Sequence, residues 1–251
     1  MGTSIDIAVS CTFFQHRLCW MASSLLQQCG DVPDIVLSVA YPRHNGVPST
    51  ETVCDFFENQ GLKIRRFPYE GMSKIQFRGL VRNDQLQASD CEWMIFADAD
   101  MTYDPLFFEH LSRQLQGDLK NETRVISARR ISLDKDFCKN YFNTQDHHQY
   151  PCIVERSGEL KSWPIFQISK SCGAGYFQLV NRQHIMQNCG GLYVDPLNCK
   201  DWSWKTKGQK ANSDRQFRHR VGGVKHIHTM PQYHLNHERD NEAGVHLEHQ
   251  R

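Results

Sequence analysis

The sequence has almost no net charge. Its 29 Lys+Arg and 28 Asp+Glu leave +1 over 251 residues, which excludes a uniformly basic, histone-like binder. No run of 18 or more apolar residues occurs, so no segment reads as a membrane span. The opening stretch Met1–Val9 lacks a basic region followed by an apolar one, so no secretory signal is expected. The ten cysteines are spread from Cys11 to Cys199 without a C-x-x-C pair. Free thiols in a reducing cytosol are the expectation, ahead of disulfides or a cysteine-based zinc site. A soluble cytoplasmic protein with no membrane partner follows as the expected setting. The first strand is not followed by G-x-G-x-x-G, and no Walker A sequence is present, which disfavours an ordinary dinucleotide site and a P-loop.

What is present is an ordinary globular composition, 39% hydrophobic and 23% charged, with chain enough for a sizeable core. The first half alternates strand-like and helix-like segments. Ile5–Val9, Ile35–Val39, Leu62–Phe67 and Trp93–Ala97 read as strands. Gln15–Gln28, Thr52–Gln60, Lys74–Ala88 and Pro105–Leu115 read as helices, with Gly61 placed as a stop and Pro105 at a helix start. The Trp93–Ala97 run is continuously apolar, as a strand covered on both faces requires. Further strands are expected at Val125–Ala128, Ile165–Ile168, Tyr176–Val180 and Val224–His228. Helices are expected at Arg182–Gln187 and Asp214–Val221. This order predicts an α/β fold, a Rossmann-like, mostly parallel sheet with helices on both faces. One domain over 1–251 is expected, divided near residue 123.

The strongest chemical signal is Asp98-Ala99-Asp100, directly after the apolar strand. Ligands of open α/β sheets sit at the carboxyl ends of strands. Two carboxylates two residues apart in an extended segment would face one spot. Hard oxygen donors there suit Mn²⁺ or Mg²⁺ bridging phosphates. A second D-x-D, Asp134-Lys135-Asp136, lacks the strand context and reads as a pair of turn carboxylates.

Arg78-Gly79-Leu80-Val81-Arg82-Asn83, then Trp93 to Asp100, then Asp104-Pro105 resembles the nucleotide-sugar half of family-2-like GT-A glycosyltransferases. Val9-Ser10-Cys11-Thr12 and the helix ending Ser23-Ser24-Leu25-Leu26-Gln27-Gln28 fit the same pattern, which covers about residues 5–115. The resemblance implies a GT-A fold, a UDP-sugar donor and a divalent cation. It implies a metal-dependent transfer of a sugar to a hydroxyl, with the cation stabilising charge on the leaving diphosphate. Asp98 would contact the ribose or a metal-bound group, and Asp100 would bind the metal. Arg82 would hold the phosphates or the sugar. Asp6 or the Ser10–Phe13 stretch, with Ser10 and Thr12 as candidates, would bind the nucleotide. The run His234-Leu235-Asn236-His237-Glu238-Arg239-Asp240 is similar to the segment that supplies a late metal ligand. His237 is the favoured ligand and His234 the substitute. His226-x-His228 with His234 and His237 also permits a zinc site of imidazoles, but no H-E-x-x-H or cysteine pair completes it.

Asp214 opens Asp214-Arg215-Gln216-Phe217-Arg218, which looks like the acidic segment that carries the catalytic base of inverting enzymes. Such a base contributes about 10²–10⁴ in rate. Its competing reading is a helix N-cap. Gly173-Ala174-Gly175 resembles the small-residue loop lining the sugar site, and Trp202 and Trp204 suit stacking on sugars or bases.

The neutral average hides a split. Residues 1–123 hold 10 basic and 16 acidic residues, a balance of −6; residues 124–251 hold 19 and 12, a balance of +7. Segment 200–225 has eight basic residues and two acids. Interleaved with Trp202 and Trp204, it suits a nucleic-acid groove. The chain also looks somewhat like the GT-A enzymes that glucosylate hydroxymethyl bases in DNA, the base J and phage type. A DNA acceptor is therefore the leading expectation, with a saccharide close behind. A nucleotidyltransferase and a non-catalytic nucleic-acid-binding module are the readings of other classes.

Overall fold

The computed structural model describes residues 3–12, 15–43, 49–72, 74–75, 77–138, 151–154, 165–168, 176–195 and 213–235. Its strands are β1 Ser4–Ser10, β2 Asp34–Pro42, β3 Lys63–Tyr69, β4 Trp93–Ala97, β5 Met101–Tyr103, β6 Val125–Leu133, β7 Ile165–Ile168, β8 Phe177–Asn181 and β9 Val224–His234. Its helices are α1 Gln15–Leu26, α2 Thr50–Asn59, α3 Arg78–Ala88, α4 Phe107–Gln116, α5 Arg182–Asn188 and α6 Ser213–Arg220.

The nine strands form one sheet in the order β3-β2-β1-β4-β8-β6-β9-β5, with β7 against β6. The β1, β2, β3 and β4 pairings are parallel, as alternating strands and helices demand. Beyond β4 the sheet becomes mixed: β8 joins antiparallel, and β6 pairs parallel with β9. Central strands bury both faces, so Ile5, Ile7 and Ile95 pack against α1, α2 and α4, while Ala8, Met94 and Phe96 pack against α3, α5 and α6.

Local chemistry sets the element ends. Ser49 caps α2, its hydroxyl accepting the Thr52 N–H at 3.1 Å. Gly61 ends that helix at φ 96°, a conformation glycine adopts without steric cost. Helix α3 starts at Arg78, four residues later than the periodicity suggests, and α4 starts at Phe107, two residues past Pro105.

Two strands run longer than expected. β6 continues past Ala128 to Leu133, and β9 continues past His228 to His234. The register between them shifts between Ala128 and Arg130. Strand β5 was not expected at all. Three residues are too short to show a period, yet β5 pairs with the far end of β9, Met101 opposite His234.

Helix α3 carries polar residues inward. Gln85 Nε2 donates to the carbonyls of Val9 and Ser38, both at 3.0 Å, and so ties the helix to the ends of β1 and β2. Asn83 accepts the N–H groups of Tyr193 and Val194 and donates to the Val194 carbonyl. These bonds satisfy the Asn83 amide and the Gln85 amino group, while the buried Gln85 Oε1 has no partner among the described residues. Gly79 lets the helix approach the same segment: a Cβ there would lie 2.6 Å from Val194 Cγ1.

The eight described cysteines are free thiols. Among the described residues no helix is long and apolar enough to cross a membrane.

Candidate active site

The site lies at the carboxyl end of β4. The chain turns at Ala99–Asp100 instead of staying extended, so the two carboxylates do not point one way as the sequence spacing suggests. Asp98 faces α3, where Arg78 Nη1 donates to its Oδ1 at 3.0 Å. Asp100 faces β9, where its Oδ2 lies 3.2 Å from His234 Nε2. The β5–β9 ladder fixes that contact, with the Asp100 carbonyl accepting the Leu235 N–H at 3.0 Å. Burial pushes the Asp98 carboxyl up; Arg78 opposes this and the neighbouring Asp100 carboxylate adds to it.

Asp214 comes to the same place from the other half of the chain. It sits in the first turn of α6, and Arg82 Nη1 donates to its Oδ1 at 2.6 Å. The Tyr193 hydroxyl lies 2.5 Å from the same oxygen, 2.6 Å from Arg82 Nη1 and 2.9 Å from Gln178 Oε1. Burial alone would raise the Asp214 carboxyl. Arg82, the Tyr193 hydrogen bond, Arg78 and Arg218 outweigh it and hold the carboxyl below its ordinary value. Tyr193 is held in turn by its ring, which stacks on Phe217 at 4.1 Å and meets Phe96 edge-on at 4.7 Å. Asp98 and Asp214 are near enough for each carboxylate's charge to act on the other's surroundings, since Asp214 raises Asp98 and Arg78 lowers both.

The expected residues therefore divide into three groups. Asp98, Asp100, Arg82, Asp214 and His234 come together. Ser10 ends β1 half-buried, and the parallel β1–β4 register, Ala8 opposite Phe96, sets it level with Asp98. Thr12 follows it, also half-buried, beyond the same strand end. His237, Gly173, Gly175, Trp202 and Trp204 lie outside the described residues, as does segment 200–212.

Three details differ from the expected roles. Arg82 does not open to a ligand: its side chain is 4% exposed and committed to Asp214 and Tyr193. Asp6 is fully buried and paired with Arg65 at 2.5 Å, so it is a core ion pair and not a base-binding group. Asp134, in the second D-x-D, accepts the Phe137 N–H at 2.8 Å and caps a helical turn. Arg78, Gln178 and Tyr193 join the site, although the sequence gives none of the three a chemical role of its own. Arg78 could have been found, because it lies one turn before Arg82 on the same helix face. Tyr193 meets Arg82 across 111 positions and has no local signal.

The residues present fit a divalent cation. Two donors on an octahedral cation at about 2.0–2.1 Å stand about 3 Å apart, and Asp100 Oδ2 and His234 Nε2 are at that separation. Among the described residues no three such side chains converge. This is compatible with Mg²⁺-like ions, which use one or two carboxylates and take further oxygens from substrate phosphates and water.

No protein-family model matches the chain, and no curated protein matches it. Solved structures do. Staphylococcus aureus TarS superposes with a TM-score of 0.60 at 11% identity, over 93% of this chain and 37% of that one. TarS 1–349 in complex with UDP gives 0.60 at 10% identity, over 96% and 62%. The same fragment in complex with UDP-GlcNAc gives 0.59 at 10%, over 95% and 60%. The chain spans less than two thirds of the length of each of these. At such identities the likeness concerns architecture, and the chain has a GT-A-like α/β fold.

Proposed function

We propose that the protein is a metal-dependent glycosyltransferase that moves a sugar from a UDP-sugar to a hydroxyl, the preferred acceptor being a 5-hydroxymethyl base in DNA. The observation that carries the reading is the meeting of Asp98, Asp100 and His234 with Asp214 at the carboxyl end of β4. One half of the chain supplies the donor side and the other a carboxylate free of its proton at neutral pH. UDP and UDP-GlcNAc bound to TarS 1–349 support a nucleotide-sugar donor.

In this reading Ser10 and Thr12 line the nucleotide end, and Asp100 with His234 would hold Mn²⁺ or Mg²⁺. The cation would neutralise charge growing on the leaving diphosphate. Arg78 keeps Asp98 oriented, and Asp98 contacts the ribose or the diphosphate. Asp214 takes the acceptor hydroxyl proton while the acceptor oxygen bonds to the anomeric carbon. The bond from that carbon to the diphosphate oxygen breaks, UDP leaves, and the configuration inverts. Arg82 and Tyr193 position Asp214. Gly173, Gly175, Trp202, Trp204 and the basic segment 200–225 belong to the acceptor side, with residues 1–123 as the donor half. His237 is a further candidate ligand. A base within duplex DNA would have to leave the stack to reach Asp214.

The test has two steps. Thermal shift with UDP, with and without Mn²⁺, should show metal-dependent stabilisation that Asp100→Ala loses. Incubation with UDP-sugars and hydroxymethylated DNA should then release UDP and add a hexose mass to nucleosides. Turnover on a saccharide but not on DNA would replace the acceptor and keep the enzyme class. No UDP stabilisation would reject the class.

A further inference from the structure

Three polar side chains converge on the Tyr193 hydroxyl, and their hydrogens do not balance as they stand. Burial raises that hydroxyl well above its ordinary value, so it keeps its proton and has one to give. Two oxygens compete for it, Asp214 Oδ1 at 2.5 Å and Gln178 Oε1 at 2.9 Å. Arg82 Nη1, at 2.6 Å, can only donate, so it occupies a lone pair of the phenolic oxygen. The carboxylate is charged and nearer, and it takes the proton. Gln178 Oε1 is then set against another oxygen with no hydrogen between them. At the other end of the same amide, Nε2 is buried without a partner among the described residues. Gln178 is only 1% exposed, so bulk water relieves neither end.

Both mismatches have one remedy. The two ends of a glutamine amide have nearly the same shape, so turning it over about its last side-chain bond disturbs no packing. Nε2 then donates to the Tyr193 oxygen. That oxygen receives two hydrogen bonds, from Arg82 and Gln178, and gives one, to Asp214. The sheet delivers the amide to this place: Gln178 of β8 lies opposite Phe96 of β4, whose ring meets Tyr193 edge-on at 4.7 Å.

We infer that Gln178 is a positioning residue for Asp214: its amide, with Nε2 toward Tyr193, holds the phenolic proton on the carboxylate. The meaning of Asp214 as a base rests on the glycosyltransferase reading; the hydrogen-bond count does not. Bonds in such a chain polarise one another. A donor to the phenolic oxygen makes its O–H a better donor, so Gln178 strengthens the bond that keeps Asp214 ionised. Removing the amide therefore has opposite signs in the two orientations. With Nε2 toward Tyr193, its loss weakens the Tyr193–Asp214 bond, and Asp214 binds its proton more tightly. With Oε1 toward Tyr193, its loss removes a competitor, and Asp214 binds its proton less tightly. The other charges that face Asp214 are the same in either case: Arg82 and Arg78 from α3, Arg218 from its own helix, and Asp98 from the end of β4.

The test is a carbon-13 titration of the aspartate carboxyls in the whole chain, with the Asp214 resonance identified by its absence in Asp214→Asn. Gln178→Met, which keeps the length of the side chain, should raise the proton affinity of Asp214 by roughly twofold or more. Gln178→Leu should do the same, and serves if the methionine disturbs the fold. Combined with Tyr193→Phe, either change should have no effect, because the amide acts only through the hydroxyl. The acidic limb of the kcat/KM profile for UDP release should rise with the titration. An Asp214 titration that stays put or moves down in the single variants overturns the positioning role, as does a shift that survives in Tyr193→Phe. A wild type that releases no UDP from any UDP-sugar, while the titration shifts as expected, refutes Asp214 as a glycosyltransferase base and leaves Gln178 its hold on that carboxylate.

Discussion

Tyr193→Phe removes one oxygen from the middle of the site. That oxygen lies 2.5 Å from Asp214 Oδ1 and 2.6 Å from Arg82 Nη1. The ring and its stacking on Phe217 remain, so the substitution isolates the hydroxyl. A hydrogen bond to a charged group contributes about 1.5–3 kcal/mol. Each pKa unit corresponds to about 1.4 kcal/mol. Asp214 keeps 26% of its side-chain surface, and water takes part of the lost bond's place, so the low end applies: its carboxyl should rise by about one unit. If Asp214 is the base, the acidic limb of the kcat/KM profile for UDP release moves up by the same amount, with the alkaline limb fixed.

Stability moves by linkage with a definite sign. Asp214 is lowered in the folded state, so its contribution is present above the unfolded-state value and is lost as pH falls through the folded value. The variant should therefore be less stable than wild type at pH 7, and the gap should close toward acid. An acidic limb in the same place for both proteins would refute Asp214 as the titrating base. A uniform loss of rate at every pH would assign Tyr193 a packing role only.

Other substitutions probe other links. Asp98→Asn should raise the melting temperature of the ligand-free protein at neutral pH, because Asp98 is raised on folding and its ionisation opposes the fold as pH climbs through the folded value; UDP stabilisation should vanish. His234→Ala should leave melting nearly unchanged and shift the Mn²⁺ concentration for half-maximal UDP stabilisation upward by tenfold or more; an unaltered titration would remove His234 from the ligand set. Gly79→Ala forces a methyl to within 2.6 Å of Val194 Cγ1, at a cost of about 1–3 kcal/mol, readable as a lower urea midpoint with an unchanged slope; an unchanged midpoint would show that the 193–194 segment yields freely.

The parallel half of the fold was legible because its strands are short apolar runs between helical periods. Trp93–Ala97 announced the sheet centre, and a carboxylate after it announced the site. The remainder was hidden for physical reasons. β5 has three residues and no period. The outer parts of β6 and β9 pass through Arg129-Arg130 and a proline, which read as breaks, and the strand pairing overrides them. Asp6 looked accessible because a central strand mixes its residue types on two covered faces, and sequence does not show that Arg65 waits opposite. Arg82 looked like a phosphate ligand because its partners lie 111 and 132 positions away. Ladder register places His234, the substitute ligand, against Asp100, and His237, the one the pattern favoured, lies outside the described residues.

Those separations also tie the site to the integrity of the whole fold. The bonds from Arg82 to Tyr193 and Asp214 span 111 and 132 residues, so no local segment forms the site by itself. A local opening that carried α6 off the sheet would leave the Arg82 guanidinium buried without its carboxylate, a costly state. Opening of α6 and loss of the site are therefore one event.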